Sequence, residues 1–380
     1  MVRKIRWGLV GGGEGSQIGF SHRAGAGLDD RMQLVAGALD IDPVRARDFG
    51  NRLGIETARS YGHWREMVAA EAGRDDGVQL VTVATPNSTH FEISKCFLEA
   101  GIDVFCEKPM TMTVEEGREL AALSKATGRL CAVNFGYSGY PMVREMRAMI
   151  QRGELGGIRI VKPEFAGGFF GDASNADDPR VRWRFDPALA GVAAVTADVG
   201  THAFHMACYV TGQTVTALSA DFARGIAGRQ LEDDALYAFR MSGGAIGRAW
   251  CSGLAIGRTH GFEISVYGEK GGVRWCQEQP NQLHWTPLNQ PTRLLERGAS
   301  YLSDAAQRAS RIAIGHPEGF VFAMGNLYRD LADILDAREV GGDPSALALT
   351  VPMADNGLHI VEVVHAAARS AADNGRWVQL

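Results

Sequence analysis

The segment KIRWGLVGGGEGSQIGFSH, residues 4–22, decides the fold predicted for this chain. An apolar run ends at Val10, four glycines follow within residues 11–15, and Gly19 comes further on. A strand that passes through glycines into a helix presents free backbone N–H groups and a helix N-terminus to an anion. The glycines also let the backbone approach a pyrophosphate. The segment therefore predicts a dinucleotide-binding turn, with an ordinary glycine-rich turn as the alternative.

Length, composition and charge limit the classes of protein to consider. The chain has 380 residues, of which 46% are hydrophobic and 22% charged, which predicts a globular protein of two domains. A net charge of −5 gives no basic field for nucleic acid or an anionic membrane. We expect neither partner.

The six cysteines and the apolar runs bear on the compartment. No two cysteines are spaced as C-x-x-C, which favours free thiols in a reducing compartment over disulfides or zinc, and we predict no metal site. The first strand starts too close to Met1 to leave room for a signal peptide, and no apolar run is long enough to span a bilayer. These observations predict a cytoplasmic protein.

Short strands alternate with helices in the first part of the chain. The strands are predicted over residues 4–10, 33–39, 79–84, 103–106 and 130–133, and the helices over 17–28, 43–53, 62–71, 88–100 and 113–127. Such alternation is typical of a doubly wound parallel sheet. The fold class is therefore α/β, with an NAD-binding Rossmann domain over residues 1–137.

The pattern changes after residue 137, because strands then follow one another with few helices between them. Strands are predicted over 158–169, 214–223, 234–241, 245–254, 260–268, 271–276 and 376–380, and helices over 142–152, 197–209, 317–338 and 353–374. Residues 171–190 are expected to be irregular and 277–315 loop-rich. Neighbouring strands pair antiparallel, so residues 138–380 predict an α+β domain with a large, mostly antiparallel open sheet.

An acidic residue ends the second predicted strand. Asp40 lies where a carboxylate would hydrogen-bond the ribose hydroxyls of an adenosine and repel a 2′-phosphate, which favours NAD over NADP. Asp40 could instead cap a helix, but Asp42 before Pro43 already suits that role. Arg45 and Arg47 lie nearby, so NADP is not excluded as the cofactor.

Polar residues also follow the third and fourth strands. Thr85-Pro86-Asn87 and His90 come after the third, where ligands of such sheets bind, although a plain turn is the alternative. Lys108, next to Pro109, comes after the fourth. Its ammonium could stabilise a developing alkoxide, whereas the alternative is a solvated surface lysine.

Asp198 and His202 are four residues apart in a predicted helix, and so share one face of it. His202 can accept a hydroxyl proton near neutral pH, and Asp198 can orient the imidazole or bind a substrate hydroxyl. The alternative is a core histidine.

Four segments together resemble the glucose-fructose oxidoreductase/inositol dehydrogenase/MocA (Gfo/Idh/MocA) family over essentially the whole chain. They are GLVGGG…IGFSH, ATPNSTH, CEKP and VRWRFDPALAG…ADVGTHAFH. The resemblance implies a Rossmann domain followed by a domain whose open sheet forms an oligomer interface, as a homodimer or homotetramer. It also implies oxidation or reduction of a secondary alcohol of a sugar, cyclitol or glycoside with NAD(P).

The resemblance assigns roles position by position. Lys108, Asp198 and His202 match the catalytic trio, and the bond between Lys108 and Pro109 is expected to be cis. The turn is longer than the family's, and the backbone amides of its last residues are expected to hold the pyrophosphate. The expected cofactor contacts are Gly11, Gly13, Ser16, Gln17, Ile18, Asp40, Thr85, Asn87, His90, Glu107, Lys108, Asn134, Trp183 and Arg184.

The sequence therefore predicts an NAD-dependent dehydrogenase that oxidises a secondary hydroxyl to a ketone or lactone. Two other classes stay open: an enzyme that cleaves glycosides with tightly bound, recycled NAD, and a dinucleotide-binding sensor without turnover. The candidate substrate contacts, besides the trio, are Tyr137, Arg184, His205 and His316, although His205 is better explained by helix packing.

Overall fold

The computed structural model describes residues 3–175 and 178–380. Residues 1, 2, 176 and 177, which fall within the predicted domains 1–137 and 138–380, lie outside the described residues. The chain divides into two compact units. The first contains the residues up to Gly139 together with Phe320–Leu358, and the second contains Tyr140–Gly319 and His359–Leu380.

The strands of the two units are numbered together in chain order. They are β1 (Ile5–Gly11), β2 (Met32–Ala38), β3 (Leu80–Ala84), β4 (Asp103–Cys106), β5 (Cys131–Val133), β6 (Ile158–Ala166), β7 (Val215–Ala223), β8 (Asp234–Met241), β9 (Ile246–Ser252), β10 (Phe262–Gly268), β11 (Gly271–Cys276), β12 (Gln282–Pro287), β13 (Arg293–Glu296) and β14 (Val378–Gln379).

The α-helices are numbered in the same way. They are α1 (Gln17–Gly27), α2 (Pro43–Arg52), α3 (Trp64–Glu71), α4 (His90–Glu99), α5 (Val114–Thr127), α6 (Pro141–Gln151), α7 (Pro179–Arg182), α8 (Pro187–Ala190), α9 (Thr201–Thr211), α10 (Asp304–Ala309), α11 (Phe320–Glu339) and α12 (Ala354–Ala372).

The first unit is built on a parallel sheet in the order β2-β1-β3-β4-β5, which confirms the predicted doubly wound fold. Every residue of β3 and β4 is buried, as expected for strands covered on both faces. Gly11 pairs with Ala84, and Cys106 pairs with Val133. The carboxyl ends of these strands therefore meet at one edge, where ligands of such sheets bind.

Local signals set the ends of α5 as the sequence predicts. Thr113 and Glu116 form a reciprocal capping box, in which each side chain accepts a hydrogen bond from the other residue's backbone N–H. Gly128 ends the helix in the left-handed conformation, with φ of 63°.

Helix α11 belongs to the first unit, although the prediction assigned everything after residue 137 to the second domain. Leu327, Tyr328 and Leu331 of α11 are part of the core that contains Trp7. The helix lies so close to Gly139 that a Cβ there would be 2.0 Å from the Ala323 carbonyl oxygen. A hydrophobic periodicity identifies a helix but not the sheet against which it packs.

The described part of the second unit carries a sheet in the order β13-β12-β11-β10-β6-β9-β8-β7-β14. Only the β6–β9 pairing is parallel, and the others are antiparallel, which confirms the predicted open sheet. Phe204 of α9 packs edge-on against Tyr237 and Phe239 of β8. Elsewhere the strands expose large apolar side chains, among them Ile160, Leu236, Tyr267 and Leu294.

The predictions were wrong in three places. Residues 277–315 contain β12, β13 and α10 rather than mainly loops, because prolines at 280, 287 and 291 flank short strands and mask them. Short helical turns interrupt the described part of 171–190. The helix predicted from residue 197 begins as a π-helical turn over Thr196–Gly200.

Two further features of the described residues concern the cysteines and the apolar character of the helices. All six cysteines are free thiols, three of them buried and three partly buried. No helix within the described ranges combines the length and the apolar character needed to cross a membrane.

We predict that Gly139→Ala destabilises the protein, because its Cβ would overlap the backbone of α11. Overpacking of this kind typically costs about 1–3 kcal/mol. Gly27→Ala, at an open helical position, is the matched control and should be neutral or slightly stabilising. Thermal melts of both variants check this, and equal melting temperatures would show that α11 does not pack on Gly139.

Candidate active site

The glycine turn brings the N-terminus of α1 to the carboxyl edge of the parallel sheet. Gly11 and Gly12 have φ values of 75° and 64°, which side chains rarely allow. A Cβ on Gly19 would lie 2.1 Å from the Gly12 carbonyl oxygen, so the turn and the helix touch backbone to backbone. This close packing is what the dinucleotide-binding turn needs.

The backbone N–H groups at the start of α1 differ in whether they already donate a hydrogen bond within the protein. The Ser16 N–H donates to the Gly13 carbonyl at 3.1 Å, while the Ser16 hydroxyl caps the helix by accepting the Gly19 N–H. The Ser16 amide, predicted to contact the pyrophosphate, thus already has an acceptor within the turn. The N–H groups of Gln17 and Ile18 lie in the first turn of α1, where no intrahelical acceptor exists.

Asp40 lines a surface cleft of about 530 Å³ beside this turn. Asp42, and not Asp40, caps α2 by accepting the N–H groups of Val44 and Arg45, as predicted. Arg45 donates to both carboxylate oxygens of Asp40 at 2.8 and 3.2 Å, and this hydrogen bonding lowers the pKa of Asp40. Asp40 is thus a partly exposed carboxylate, suited to accept hydrogen bonds from ribose hydroxyls.

The same cleft contains a contact that sequence reasoning missed. Glu14 of the expanded turn accepts two hydrogen bonds from Arg52 of α2, at 2.9 and 2.6 Å. The guanidinium groups of Arg52 and Arg23 lie 5.3 and 5.1 Å from the centre of the Phe49 ring. The only sequence signal is an acidic residue inside the inserted turn, which does not name its partner.

His90, predicted as a cofactor contact, is held inside the first unit by two backbone carbonyl groups. The ring is fully buried, and its two nitrogens lie 2.9 Å from the Thr85 carbonyl oxygen and 2.8 Å from the Pro109 carbonyl oxygen. Burial lowers the pKa of His90. The ring therefore links the turns that follow β3 and β4, whereas Thr85 and Asn87 are half-buried at that edge.

Lys108 follows β4 and is half-buried, and the bond between Lys108 and Pro109 is cis as predicted. Glu107 beside it is buried, although it was predicted as a cofactor contact. Its carboxylate accepts hydrogen bonds from the His22 ring at 2.9 Å, the Asn134 amide at 2.5 Å and the Lys108 N–H at 3.1 Å. Burial opposes ionisation of Glu107, but the hydrogen bonds from His22 and Asn134 outweigh it, so that its pKa is lowered.

Asn134, after β5, offers an acceptor that suits the nicotinamide end of a cofactor. Its Nδ2 donates to Glu107, which fixes the orientation of the amide. Its Oδ1 is buried and has no hydrogen-bond partner among the described residues. A buried acceptor of this kind is costly unless a ligand donates to it. The amide N–H of a carboxamide fits that requirement.

In the second unit, Asp198 lies in the π-helical turn that precedes α9. The Thr201 N–H donates to the Thr196 carbonyl, five residues back, so the turn is wider than the α-helix that the sequence predicted for Asp198 and His202. Glu232 accepts the N–H groups of Ala194 and Thr196 and also the Thr196 hydroxyl. Burial raises the pKa of Glu232.

The structure brings the predicted Trp183–Arg184 pair to Asp198. The Arg184 Nε lies 3.3 Å from Asp198 Oδ2, and its guanidinium group lies over the Trp183 ring at 4.5 Å. His202, one turn further on, is half-buried, with its ring centroid 6.1 Å from that of Phe165. Four residues predicted from separate motifs thus lie in the second unit, while Lys108 lies in the first.

The remaining substrate candidates are less informative. His205 is buried in α9 and stacks on Tyr209, and burial lowers its pKa to about 3, which agrees with helix packing. Tyr137 is buried in the first unit against Phe320. The His316 side chain is exposed in the second unit.

No group of three or more His, Cys, Asp or Glu residues suited to a metal occurs within the described residues.

Two family models match the chain. Residues 5–135 match the GFO/IDH/MocA oxidoreductase family with its NAD-binding Rossmann fold, and residues 143–274 match the GFO/IDH/MocA C-terminal domain.

Named relatives extend this match over the whole chain. The oxidoreductase YfiI of Bacillus subtilis (strain 168) is 37% identical over 381 residues, which cover 99% of this chain and 97% of YfiI. The levoglucosan dehydrogenase of Pseudarthrobacter phenanthrenivorans is 27% identical over 311 residues, which cover 74% and 76% of the two chains.

A solved structure has the same fold throughout. The inositol dehydrogenase homologue of Azotobacter vinelandii in complex with NAD⁺ superposes with a TM-score of 0.94 and 41% identity, covering 100% of this chain and 98% of that one. Its complex with NADH and myo-inositol has a TM-score of 0.91 and 40% identity at the same coverage.

We predict that Glu107→Gln and Glu232→Gln change stability with opposite dependence on pH. The pKa of Glu107 is lowered by folding, so its contribution is present above its ordinary value of 4.5 and is lost as pH falls through the folded value. The loss of unfolding free energy in Glu107→Gln should be largest above pH 5, at about 2 kcal/mol, and should shrink on acidification, with a parallel change in melting temperature.

Glu232 has a raised pKa, so its contribution is present at low pH and is lost as pH rises through the folded value. The wild type should therefore lose stability relative to Glu232→Gln as pH rises. Melting temperatures of the three proteins across a pH series check both signs, and parallel curves would contradict the two opposite pKa shifts.

Proposed function

The chain belongs to the GFO/IDH/MocA oxidoreductase family, and we propose that it is an NAD-dependent dehydrogenase acting on a secondary hydroxyl of a sugar, cyclitol or glycoside. The product is a ketone or a lactone. The observation that carries the proposal is the pairing of Lys108 and Asn134 through the buried Glu107 carboxylate. The backbone of a lysine and an unpartnered amide acceptor are thereby held by one carboxylate at the carboxyl edge of a Rossmann sheet.

The residues of the first unit that would hold NAD follow the sheet edge. The turn with Gly11 and Gly13 and the amides of Gln17 and Ile18 suit the pyrophosphate, and Asp40 suits the adenosine ribose. Thr85, Asn87 and the Oδ1 of Asn134 suit the nicotinamide half. NAD, when bound, supplies the hydride acceptor. In the second unit, Trp183 and Arg184 are the residues proposed to contact the cofactor.

Each member of the catalytic trio has one proposed role. His202 removes the proton of the substrate hydroxyl, and the ammonium of Lys108 stabilises the alkoxide as the proton leaves. The carbinol C–H bond then breaks with both of its electrons passing to the cofactor, and the C–O bond becomes a carbonyl. Asp198, which Arg184 contacts, positions His202 or a neighbouring substrate hydroxyl.

Named proteins support the substrate class. The similar chain from Azotobacter vinelandii has been solved with myo-inositol, and the relative from Pseudarthrobacter phenanthrenivorans is a levoglucosan dehydrogenase. Both compounds are rings that carry several secondary hydroxyls. We propose a polyhydroxylated ring as the substrate of this chain, and the cytoplasm as its compartment on the basis of the six free thiols.

We also propose a homodimer or homotetramer assembled through the open sheet of the second unit. Ile160, Leu236, Tyr267 and Leu294 lie on strands of this sheet and are between 37% and 52% exposed. Exposed apolar side chains spread over one sheet favour association with a second copy.

We predict that Lys108→Ala lowers kcat by about 10²- to 10³-fold, because one charged donor to the developing alkoxide is lost. NADH absorbance with myo-inositol, scyllo-inositol, levoglucosan and D-xylose identifies the substrate, and the variant is then assayed with the best one. Titration with NAD should give wild-type affinity. Lys125→Ala, which removes an exposed lysine paired with Asp355, is the matched control and should keep full activity.

Two outcomes would contradict this assignment. Full turnover by a folded Lys108→Ala variant would remove Lys108 from the mechanism. Product formed from a glycoside without added NAD, by protein purified with bound cofactor, would favour redox-assisted glycoside cleavage instead.

We predict that Leu236→Glu shifts the wild-type oligomer towards smaller species in sedimentation velocity, because a charge in place of an exposed apolar side chain opposes burial of this sheet. Glu56→Leu, at an exposed site of the first unit, is the control for a change of surface polarity. A monomeric wild type would overturn the proposal.

A further inference from the structure

A continuous line of buried side chains crosses the core of the first unit and ends at Lys108. We call it the buried polar chain, and its members are Trp7, Thr82, Tyr328, His22 and Glu107. The Trp7 Nε1 lies 2.9 Å from the Thr82 hydroxyl, and that hydroxyl lies 2.9 Å from the Tyr328 hydroxyl. The Tyr328 hydroxyl is 2.8 Å from the His22 Nδ1, and the His22 Nε2 is 2.9 Å from the Glu107 Oε1.

All five side chains are at least nine-tenths buried, and they come from five different parts of the first unit. Trp7 lies on β1, Thr82 on β3, His22 on α1 and Tyr328 on α11, while Glu107 follows β4. The proposed reaction uses none of the first four directly. Buried polar groups of this kind can fix one specific arrangement of a core at a cost in stability.

The directions of the hydrogen bonds follow from the chemistry of the two ends. The Trp7 indole N–H can only donate, and an ionised Glu107 carboxylate can only accept. Each link is satisfied when Thr82 donates to Tyr328, Tyr328 donates to the His22 Nδ1, and the His22 Nε2–H donates to Glu107. This arrangement requires the neutral imidazole with its proton on Nε2.

The opposite direction leaves one donor of the buried polar chain unused at its tryptophan end. If the His22 Nδ1–H donated to Tyr328, then Tyr328 would donate to Thr82, which already accepts from Trp7. The Thr82 hydroxyl hydrogen would then have no acceptor within the buried polar chain. Because the indole N–H ends the line and does not release a proton, the buried polar chain is a fixed clamp and not a path for protons.

At one end of the buried polar chain, Glu107 accepts hydrogen bonds from two candidate active-site residues. Its Oε2 accepts the Lys108 backbone N–H at 3.1 Å, and its Oε1 accepts the Asn134 amide at 2.5 Å. A carboxylate that turned about its own bond would lose both contacts together. The imidazole of His22 prevents that rotation only while its Nε2–H points at Oε1.

We propose that His22 and Tyr328 are positioning residues for Lys108 and Asn134. Tyr328 selects the tautomer of His22, His22 orients the Glu107 carboxylate, and the carboxylate fixes the lysine backbone and the asparagine amide. This inference rests on the proposed function for the roles of Lys108 and Asn134, but the clamp itself does not depend on which substrate is used.

The kinetic test uses Tyr328→Phe, which removes one oxygen and keeps the ring in edge contact with Trp7 and Phe105. We expect kcat to fall about tenfold, with the KM for NAD changed less than about twofold, since small displacements at a catalytic group reduce turnover strongly. His22→Leu should lower kcat by about 10²-fold. His22→Gln should recover most of it, because a carboxamide can donate to Glu107 and accept from Tyr328.

Tyr209→Phe is the matched control for removing a buried phenol. Its hydroxyl has no hydrogen-bond partner among the described residues, and it lies in α9 of the second unit. This variant should keep wild-type kcat. If His22→Leu and Tyr328→Phe kept wild-type kcat in an enzyme that turns over, or if His22→Gln were no better than His22→Leu, the positioning role would be overturned.

A spectroscopic readout separates this inference from the dehydrogenase proposal. The ring nitrogens of ¹⁵N-histidine-labelled protein at neutral pH should show His22 protonated on Nε2 only, with the signal assigned by its loss in His22→Gln. Tyr328→Phe should weaken that preference. If the wild type shows this tautomer but no turnover, the dehydrogenase proposal is refuted and the positioning role of His22 is not. If His22 is protonated on Nδ1 only, the positioning role is refuted whatever the activity.

Discussion

The buried carboxylate of Glu107 is the group on which the first unit depends. A carboxylate removed from water is strongly destabilising unless donors replace its hydration. Here the donors come from α1, from the residue after β5 and from the backbone of Lys108, so three parts of the unit must be in place together. The charge therefore links the packing of the sheet to the geometry at its carboxyl edge.

Helix α11, which comes late in the chain but packs in the first unit, completes this arrangement. Tyr328 reaches His22 across 306 residues of sequence and brings the rest of the helix into the core around Trp7. Without α11, the Nδ1 of His22 would lack its donor, and the hydroxyl of Thr82 would lack its acceptor. The first unit is thus a Rossmann sheet whose polar centre is finished by the later part of the chain.

Most of the fold could be predicted because its signals are local. The glycine turn, the buried strands, the Thr113–Glu116 box and the Asp42 cap each lie within a few residues of the structure that they determine. The contacts of His22, Glu14 and Glu232 could not be predicted, since their partners are distant in sequence. The π-helical turn at Asp198 depends in the same way on a loop some 36 residues later, because Glu232 accepts its first amides.

The two units solve the problem of a buried acid in opposite ways. In the first, hydrogen-bond donors outweigh burial, and the pKa of Glu107 is lowered. In the second, burial dominates, and Glu232 has a raised pKa while it braces the turn that carries Asp198. Glu107 therefore orients its neighbours through a fixed set of acceptors, whereas the stabilisation that Glu232 gives to its turn falls as pH rises.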